Sequence, residues 1–467
     1  MSTLLLFALV GAVALVWGVI AIRTWPSLDG KHAGRPMHML LWAVAITAVA
    51  CSVLESQGLH GVSRSISAIA GFAFPCVMLA GIFGTLAIRG RAAHPLVPAG
   101  LLAFSGVVAS SAVINGQIGE VTWGVALGVL YLPGLVLAIW KTSASRESIR
   151  QTVRRISVSV VWLSLAYAAV DLTHALGDLP RRIVLPGVEF RLAGVTPHAN
   201  LLAFTAAIAF FLTMRARPRF WLLHLLACLA ILFLAEARTL TVGLLVAGAG
   251  YWIVNARKSR MVRAINTAIF GAPIAVFLWP AIVSSFDESS LASDVTTLNS
   301  RTLVWDLVAA NWTERPVFGW GAFTFDNATG SPLSALFFNN SHNQFLEALI
   351  EGGTVGLLLM GGVAVALAWS LTKARDAPYV AVTIMCLFFM MTEVPFTLHN
   401  YGFSYVVVLA ALLLAILVPG PTVRSAAGSV EPTLPERQDA HLAKLEGALT
   451  AQRIARTSAV SGPGEPR

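Results

Sequence analysis

Charge is scarce in this chain. Only 12% of its 467 residues are Asp, Glu, Lys or Arg, against 57% hydrophobic. Ordinary soluble domains carry about a quarter of their residues charged, so that class is excluded. Cysteine is scarcer still. Cys51, Cys76, Cys228 and Cys386 are the four. All fall within or at the edge of apolar runs and none at metal-ligand spacing, which argues against a disulfide scaffold or a zinc site. Asp287, Glu288 and Asp294 come nearest to a cation cluster and read as a solvated acidic stretch, so neither metal nor cofactor is expected. Met1 to Leu5 lacks the basic n-region of a signal peptide and no small-residue cleavage site follows, so the first apolar run reads as an uncleaved span.

What the chain has instead is apolar runs long enough to cross a hydrocarbon core, for which a helix needs roughly 20 residues. They lie near Leu4 to Ile22, His38 to Leu54, Ile66 to Ile88, Pro95 to Ile114, Val121 to Trp140, Ile156 to Ala175 and Asn200 to Met214. Further on come Phe220 to Ala235, Leu240 to Val254, Val262 to Ser284, Phe345 to Leu371, Pro378 to Val394 and Phe403 to Val418. The predicted fold is all-α: a polytopic helical membrane protein of about thirteen transmembrane spans.

Lys and Arg gather in alternate connections, beginning with Arg23, Lys31 and Arg35 and ending with Lys373 and Arg375. The positive-inside rule makes those connections cytoplasmic, with the N-terminus outside and the C-terminus inside. The formal charge of +9 then reflects membrane topology, and no nucleic-acid partner is implied. Residues 1–418 form the membrane domain and 285–344 a large outer loop within it. Residues 419–467, rich in Pro, Ser, Ala, Glu and Arg, form a cytoplasmic tail expected to be largely disordered.

An ionisable residue inside a span is a functional candidate because its burial in lipid costs several kcal/mol, of order 3. Asp171, Glu236 and Glu393 all lie toward the outer ends of their spans. Each is either an interfacial group or the lining of a recess open to the exterior. Between spans, Gly177 to Asn200 holds Arg181, Arg182, Arg191 and His198, and its alternating Ile183, Leu185, Val188 and Phe190 suit a short hairpin or an interfacial segment. AEARTLT makes a tight outer turn with Arg238, whose ordinary reading is a headgroup anchor.

The largest polar island runs from Asn299 to Gly353. SRTLVWDLVAANW reads as an amphipathic helix with Ser300 as N-cap, its Trp residues at an apolar boundary suited to the membrane surface. Pro316 ends it, FGWGAF makes a Gly-rich turn, and His342 and Asn343 precede the next span. A His at a helix entrance is more often a cap than a catalyst. Its company changes the balance, because Arg191, Arg238 and Arg301 come from three outer segments able to converge with it. Guanidinium forks match phosphate oxygens and absorb the charge of a leaving pyrophosphate, while His accepts a proton from a hydroxyl near neutral pH.

These segments resemble the O-antigen ligase and polymerase superfamily. SRTLVWDLVAANWTERPVFGWGAFTF followed by SHNQFLEALIEGGTVGLLLM is similar to its signature region, FRLAGVTPHANLLA to its Arg, Gly, Pro, Asn pattern, and EARTLTVGLL to its outer Arg-Thr turn. The matches cover Arg191 to Leu359. The resemblance implies a metal-independent inverting glycosyltransferase on the outer face of a bacterial cytoplasmic membrane. Its donor is a glycan on a polyprenyl pyrophosphate carrier, and its acceptor is a glycan or glycolipid. Carried over by position, Arg191 and Arg238 bind the donor pyrophosphate, Arg301 binds phosphate or acceptor, and His342 activates or positions the acceptor hydroxyl, with Asn343 of the HN pair expected to bind substrate beside it. Ligase and polymerase branches are not separated by these motifs. A carrier of lipid-linked glycans is the alternative from another class. It is disfavoured by the lack of an internal span repeat and by the one-sided placement of the ionisable groups. A structural scaffold leaves the arginines and the HN pair unexplained.

Overall fold

A computed structural model describes residues 35–59, 61–62, 66, 96–117, 136, 146–185, 188–255, 301–325, 333, 340–373 and 376–396. These all belong to the first of the two units, Met1–Pro419 and Gly420–Arg467, into which the chain divides. The expected spans near 4–22, 66–88, 121–140, 262–284 and 403–418, and the expected tail, lie outside them, as do Ser300 and parts of the expected outer loop.

The described residues are mostly helical. We number the elements α1 (Arg35–Ser56), α2 (Leu96–Ile114), α3 (Arg146–Val170), α4 (Leu172–Ala175), β1 (Leu176–Leu185), β2 (Val188–Leu192), α5 (Ala199–Ala216), α6 (Trp221–Ala235), α7 (Arg238–Asn255), α8 (Arg301–Trp312), α9 (Gln344–Lys373) and α10 (Ala377–Thr392). Among the described residues, four helices are long and apolar enough to cross a membrane: Leu96–Ile114, Ile149–Val170, Ala199–Ala216 and Gln344–Leu371. The apolar helices Leu41–Ser56, Trp221–Ala235, Leu240–Asn255 and Ala377–Thr392 are shorter. All eight coincide with expected spans.

α5 is the centre. Its sequence is apolar around the whole circumference, so no face is suited to water, and Leu201 through Met214 are all buried. It packs on α3, α6, α7 and α10. Thr205 inside it turns its hydroxyl to the Leu201 carbonyl at 2.9 Å, which satisfies the group without a partner helix. Phe204 stacks on Phe389 of α10 with ring centroids 4.4 Å apart. α7 and α10 approach closely because α7 presents small residues: a Cβ on Gly250 would stand 2.7 Å from Ile384 Cδ1.

Two expectations are refined. The run from Ile156 to Ala175 is not one helix, since α3 stops at Val170 and Asp171 caps the short α4, its carboxylate accepting from the His174 amide at 3.2 Å. The segment after it is a hairpin, in which β1 and β2 run antiparallel with Leu176 opposite Leu192 and Leu185 opposite Val188. The pairing sets Arg191 one residue before the end of β2.

α8 forms where its periodicity places it. Val304 and Val308 are fully buried with Phe325, Leu333 and Ile350, the last on α9, so this part of the apolar stripe is covered by protein. Leu303 is left exposed.

Candidate active site

Glu393 is the meeting point. It follows the last residue of α10, and its side chain is 6% exposed. Its Oε1 accepts from Asn200 Nδ2 at 2.7 Å and from Arg301 Nη2 at 3.3 Å, while its Oε2 stands 3.5 Å from His342 Nδ1. Asn200 in turn accepts from Arg191 Nη2 at 2.7 Å through its Oδ1. Five segments that are remote in sequence thus come together: the end of β2, the start of α5, the start of α8, the turn before α9 and the end of α10.

Both arginines are anchored on helix ends. Arg191 Nε donates to Ala235, the last residue of α6, at 2.7 Å, and Arg301 Nη1 donates to Thr392, the last residue of α10, at 2.9 Å. The final carbonyls of a helix lack intrahelical donors and carry partial negative charge, so a cation there is stabilised, typically by about 0.3–1 kcal/mol. Arg238 is the first residue of α7, three positions beyond Ala235. Its backbone therefore starts the helix that follows the α6 end holding Arg191.

His342 is held by its backbone in the left-handed region, φ 53°, where a residue other than Gly needs support. The support is extensive. Its amide donates to Asn340 Oδ1 at 2.9 Å, the preceding Ser341 amide to Glu347 Oε2 at 2.8 Å, and Trp305 Nε1 of α8 to the Ser341 carbonyl at 3.0 Å. Asn343 is the cap of α9: its Oδ1 accepts from the amides of Phe345 at 2.9 Å and Leu346 at 3.2 Å. Its Nδ2 reaches the Met391 carbonyl of α10 at 3.2 Å. The HN pair is therefore a turn that α8, α9 and α10 fix together, and the imidazole it presents is about one-third exposed, at 31%.

The electrostatics favour a charged carboxylate and a neutral second histidine. Glu393 accepts from Asn200 and Arg301 through Oε1 and faces His342 through Oε2, contacts that suit an ionised carboxylate. His198 precedes α5 and accepts from the Asn200 amide through Nδ1 at 3.2 Å, which places its proton on Nε2. Burial foremost lowers its proton affinity. Glu393 pulls the other way, and Arg191, His342 and Arg301 add to the lowering.

A glycine-rich segment braces α9, the helix that follows this turn. α9 is broken at Gly353, φ 63°, and Pro316 to Gly321 lie against the opened backbone. Trp320 and Gly321 amides donate to the Ile350 and Glu351 carbonyls at 2.8 and 2.9 Å, and the Thr354 amide donates back to Pro316 at 2.8 Å. α2 adds Ser111 and Asn115, which donate to the Gly319 carbonyl at 2.9 and 3.1 Å. A Cβ on Gly353 would lie 2.3 Å from the Val317 carbonyl carbon, and one on Gly319 would lie 2.5 Å from Gly353 N. Only glycine permits that approach.

Of the residues expected from sequence, Arg191, Arg301 and His342 come together. Asn343 lies in the same turn with both polar ends of its amide engaged. Two central members were not assigned there: Glu393, one of three carboxylates at span ends, and Asn200, at the end of FRLAGVTPHAN. The other two carboxylates stand elsewhere, Asp171 as the cap of α4 and Glu236 as the left-handed residue, φ 47°, closing α6.

No curated protein matches the chain. Residues 223–361, which include Arg238, Arg301, the glycine-rich segment and His342, match the family model described as O-Antigen ligase, and this supports membership of the chain in the O-antigen ligase superfamily.

Proposed function

We propose that this chain is a membrane glycosyltransferase of the polymerase or ligase type. It joins a glycan from a polyprenyl pyrophosphate donor to a hydroxyl of an acceptor glycan or glycolipid, on the outer face of a bacterial cytoplasmic membrane. The observation that carries the reading is the convergence of Arg191, Arg301 and His342 on Glu393. In the proposed step the acceptor oxygen attacks the anomeric carbon opposite the pyrophosphate. The bond from that carbon to the carrier's phosphate oxygen breaks, and its electron pair leaves with the polyprenyl pyrophosphate. His342 takes the hydroxyl proton on Nε2, and Glu393, facing Nδ1, orients the ring and stabilises the imidazolium formed. Arg191 and Arg238 bind the pyrophosphate, with Arg301 on phosphate or acceptor. Arg191 and Arg301 are already held on helix ends, so little reorganisation accompanies the developing charge. No metal is assigned a role. Asn343 serves as the cap that fixes the His342 turn.

The test is the purified chain reconstituted in vesicles with a polyprenyl pyrophosphate oligosaccharide, with and without a lipid A core acceptor. Products lengthened on the carrier alone mark a polymerase, and transfer to the core marks a ligase. Absence of carrier release with either acceptor sets the reading aside. Tags after Gly30, after Ala144 and at Arg467 are expected to report the cytoplasm, and tags at Gly187 or Thr329 the exterior. A cytoplasmic report from Thr329 places the site on the wrong side for such a donor.

A further inference from the structure

Asn200 occupies a position that the proposed chemistry does not by itself require. It carries no charge, and in the step just described it touches neither the reacting carbon nor the proton. Yet it is the only described side chain bonded to both Arg191 and Glu393, each at 2.7 Å. These are short for N–H···O bonds, as expected when one partner is ionised. Its orientation is fixed by its partners: an arginine has no acceptor and an ionised carboxylate no donor, so Oδ1 must face Arg191 and Nδ2 must face Glu393. A carboxamide is the short side chain that offers an acceptor and a donor on adjacent atoms. Asp lacks the donor, Leu lacks both, and Ser is too short to hold two groups on opposite sides.

The backbone beneath this amide is equally constrained. Asn200 lies in the first turn of α5, the most buried of the helices that frame the site, and its own N–H is held by His198. Glu393 thereby stands against the first turn of α5, where the helix dipole favours negative charge. The groups around the carboxylate are Asn200 and His198 from the α5 start, Arg301 from α8 and His342 from the turn before α9. Arg191 comes from β2 through Asn200.

We propose that Asn200 is a positioning residue that couples the two halves of the site: through one amide it aligns Arg191 for the donor pyrophosphate and Glu393 for the histidine that receives the acceptor's proton. The inference rests on the function proposed above, and its test separates the two. Binding of a polyprenyl pyrophosphate without glycan is measured first, then turnover with the full donor. If the unaltered chain neither binds the carrier nor turns over, the functional reading itself fails, whatever Asn200 does.

With the unaltered chain active, Asn200→Leu is expected to act on both halves, weakening carrier binding about tenfold and lowering kcat by about ten- to a hundredfold, the order of one misaligned catalytic group. Asn200→Asp keeps an acceptor for Arg191 but sets two carboxylates against each other, so kcat falls while carrier binding changes little. Adding Glu393→Gln to Asn200→Asp restores an amide-to-carboxylate bond with its direction reversed. That double variant is expected to regain thermal stability over Asn200→Asp alone but not turnover, because the carboxylate no longer faces His342. If Asn200→Leu fails to accumulate, the Asn200→Asp pair still decides. Near-normal kcat in folded Asn200→Asp, or full recovery of turnover in the double variant, overturns the proposal.

Discussion

Arg191 and Arg301 are held in the same way at two places. Each guanidinium donates with one nitrogen to the last carbonyl of a helix, Ala235 or Thr392, and with another to one member of the Asn200–Glu393 pair. Each uses two nitrogens of the guanidinium plane, which a single ammonium cannot reproduce. Arg191→Lys is accordingly expected to keep the charge but raise the donor KM several-fold, and Arg191→Ala to raise it further while also lowering kcat. Steady-state kinetics at fixed acceptor distinguish the two. A Lys variant indistinguishable from the parent would show that only charge matters there.

His342→Ala is expected to slow turnover by about 10²- to 10⁴-fold, the range for loss of a general base, with carrier affinity little changed. Single-turnover rates beside equilibrium binding read the two quantities separately. Near-normal turnover in a folded variant would leave His342 as part of the turn and nothing more.

Glu393 ties protonation to stability. Its carboxylate accepts from Asn200 and Arg301, and those bonds are strongest to the ionised form, so they weaken as the group takes up a proton at low pH. The thermal midpoint of the unaltered chain in detergent is expected to drop through the acidic range. Glu393→Gln is expected to start lower and to show a shallower drop. Parallel curves would place the acid sensitivity on other carboxylates.

Gly353→Ala is expected to destabilise severely. The added methyl meets the Val317 carbonyl, and φ is in the left-handed region, so both the break in α9 and the docked Pro316 to Gly321 segment are lost. Gly361→Ala, on the same helix with nothing within 4 Å of its Cβ, is the control and is expected to accumulate normally. Equal levels of the two variants in membranes would show that the docked segment does not hold α9.

Much of this arrangement was legible in the sequence, and for physical reasons. Helix positions follow from apolar runs, the hairpin is one of the two forms that alternation at Ile183 to Phe190 allows, and the gathering of Arg191, Arg301 and His342 follows from their placement in separate polar segments between apolar runs. Glu393 is not distinguishable from Asp171 and Glu236 in the sequence, because all three are carboxylates at the ends of apolar runs. Which one meets the arginines depends on how α10 packs against α5 and α9, which is tertiary information. Asn343 carried a readable signal that went to substrate binding instead: Asn just before a long apolar helix is a common cap. The break at Gly353 was hidden too, since two glycines inside an apolar run read as helix until a partner segment needs the backbone. The Arg238 side chain and five of the expected spans lie outside the described residues.

The order of the five site segments along the chain has a consequence for biosynthesis. Arg191 and Asn200 leave the ribosome first, Arg301 and His342 follow, and Glu393, the group that joins them, comes last. Likewise the Pro316 to Gly321 segment is made before the broken helix on which it rests. The site therefore cannot mature span by span as the chain inserts. Two arginines and a histidine wait for their shared carboxylate, and a nascent chain stopped before Met391 carries every cation of the site and no centre to gather them.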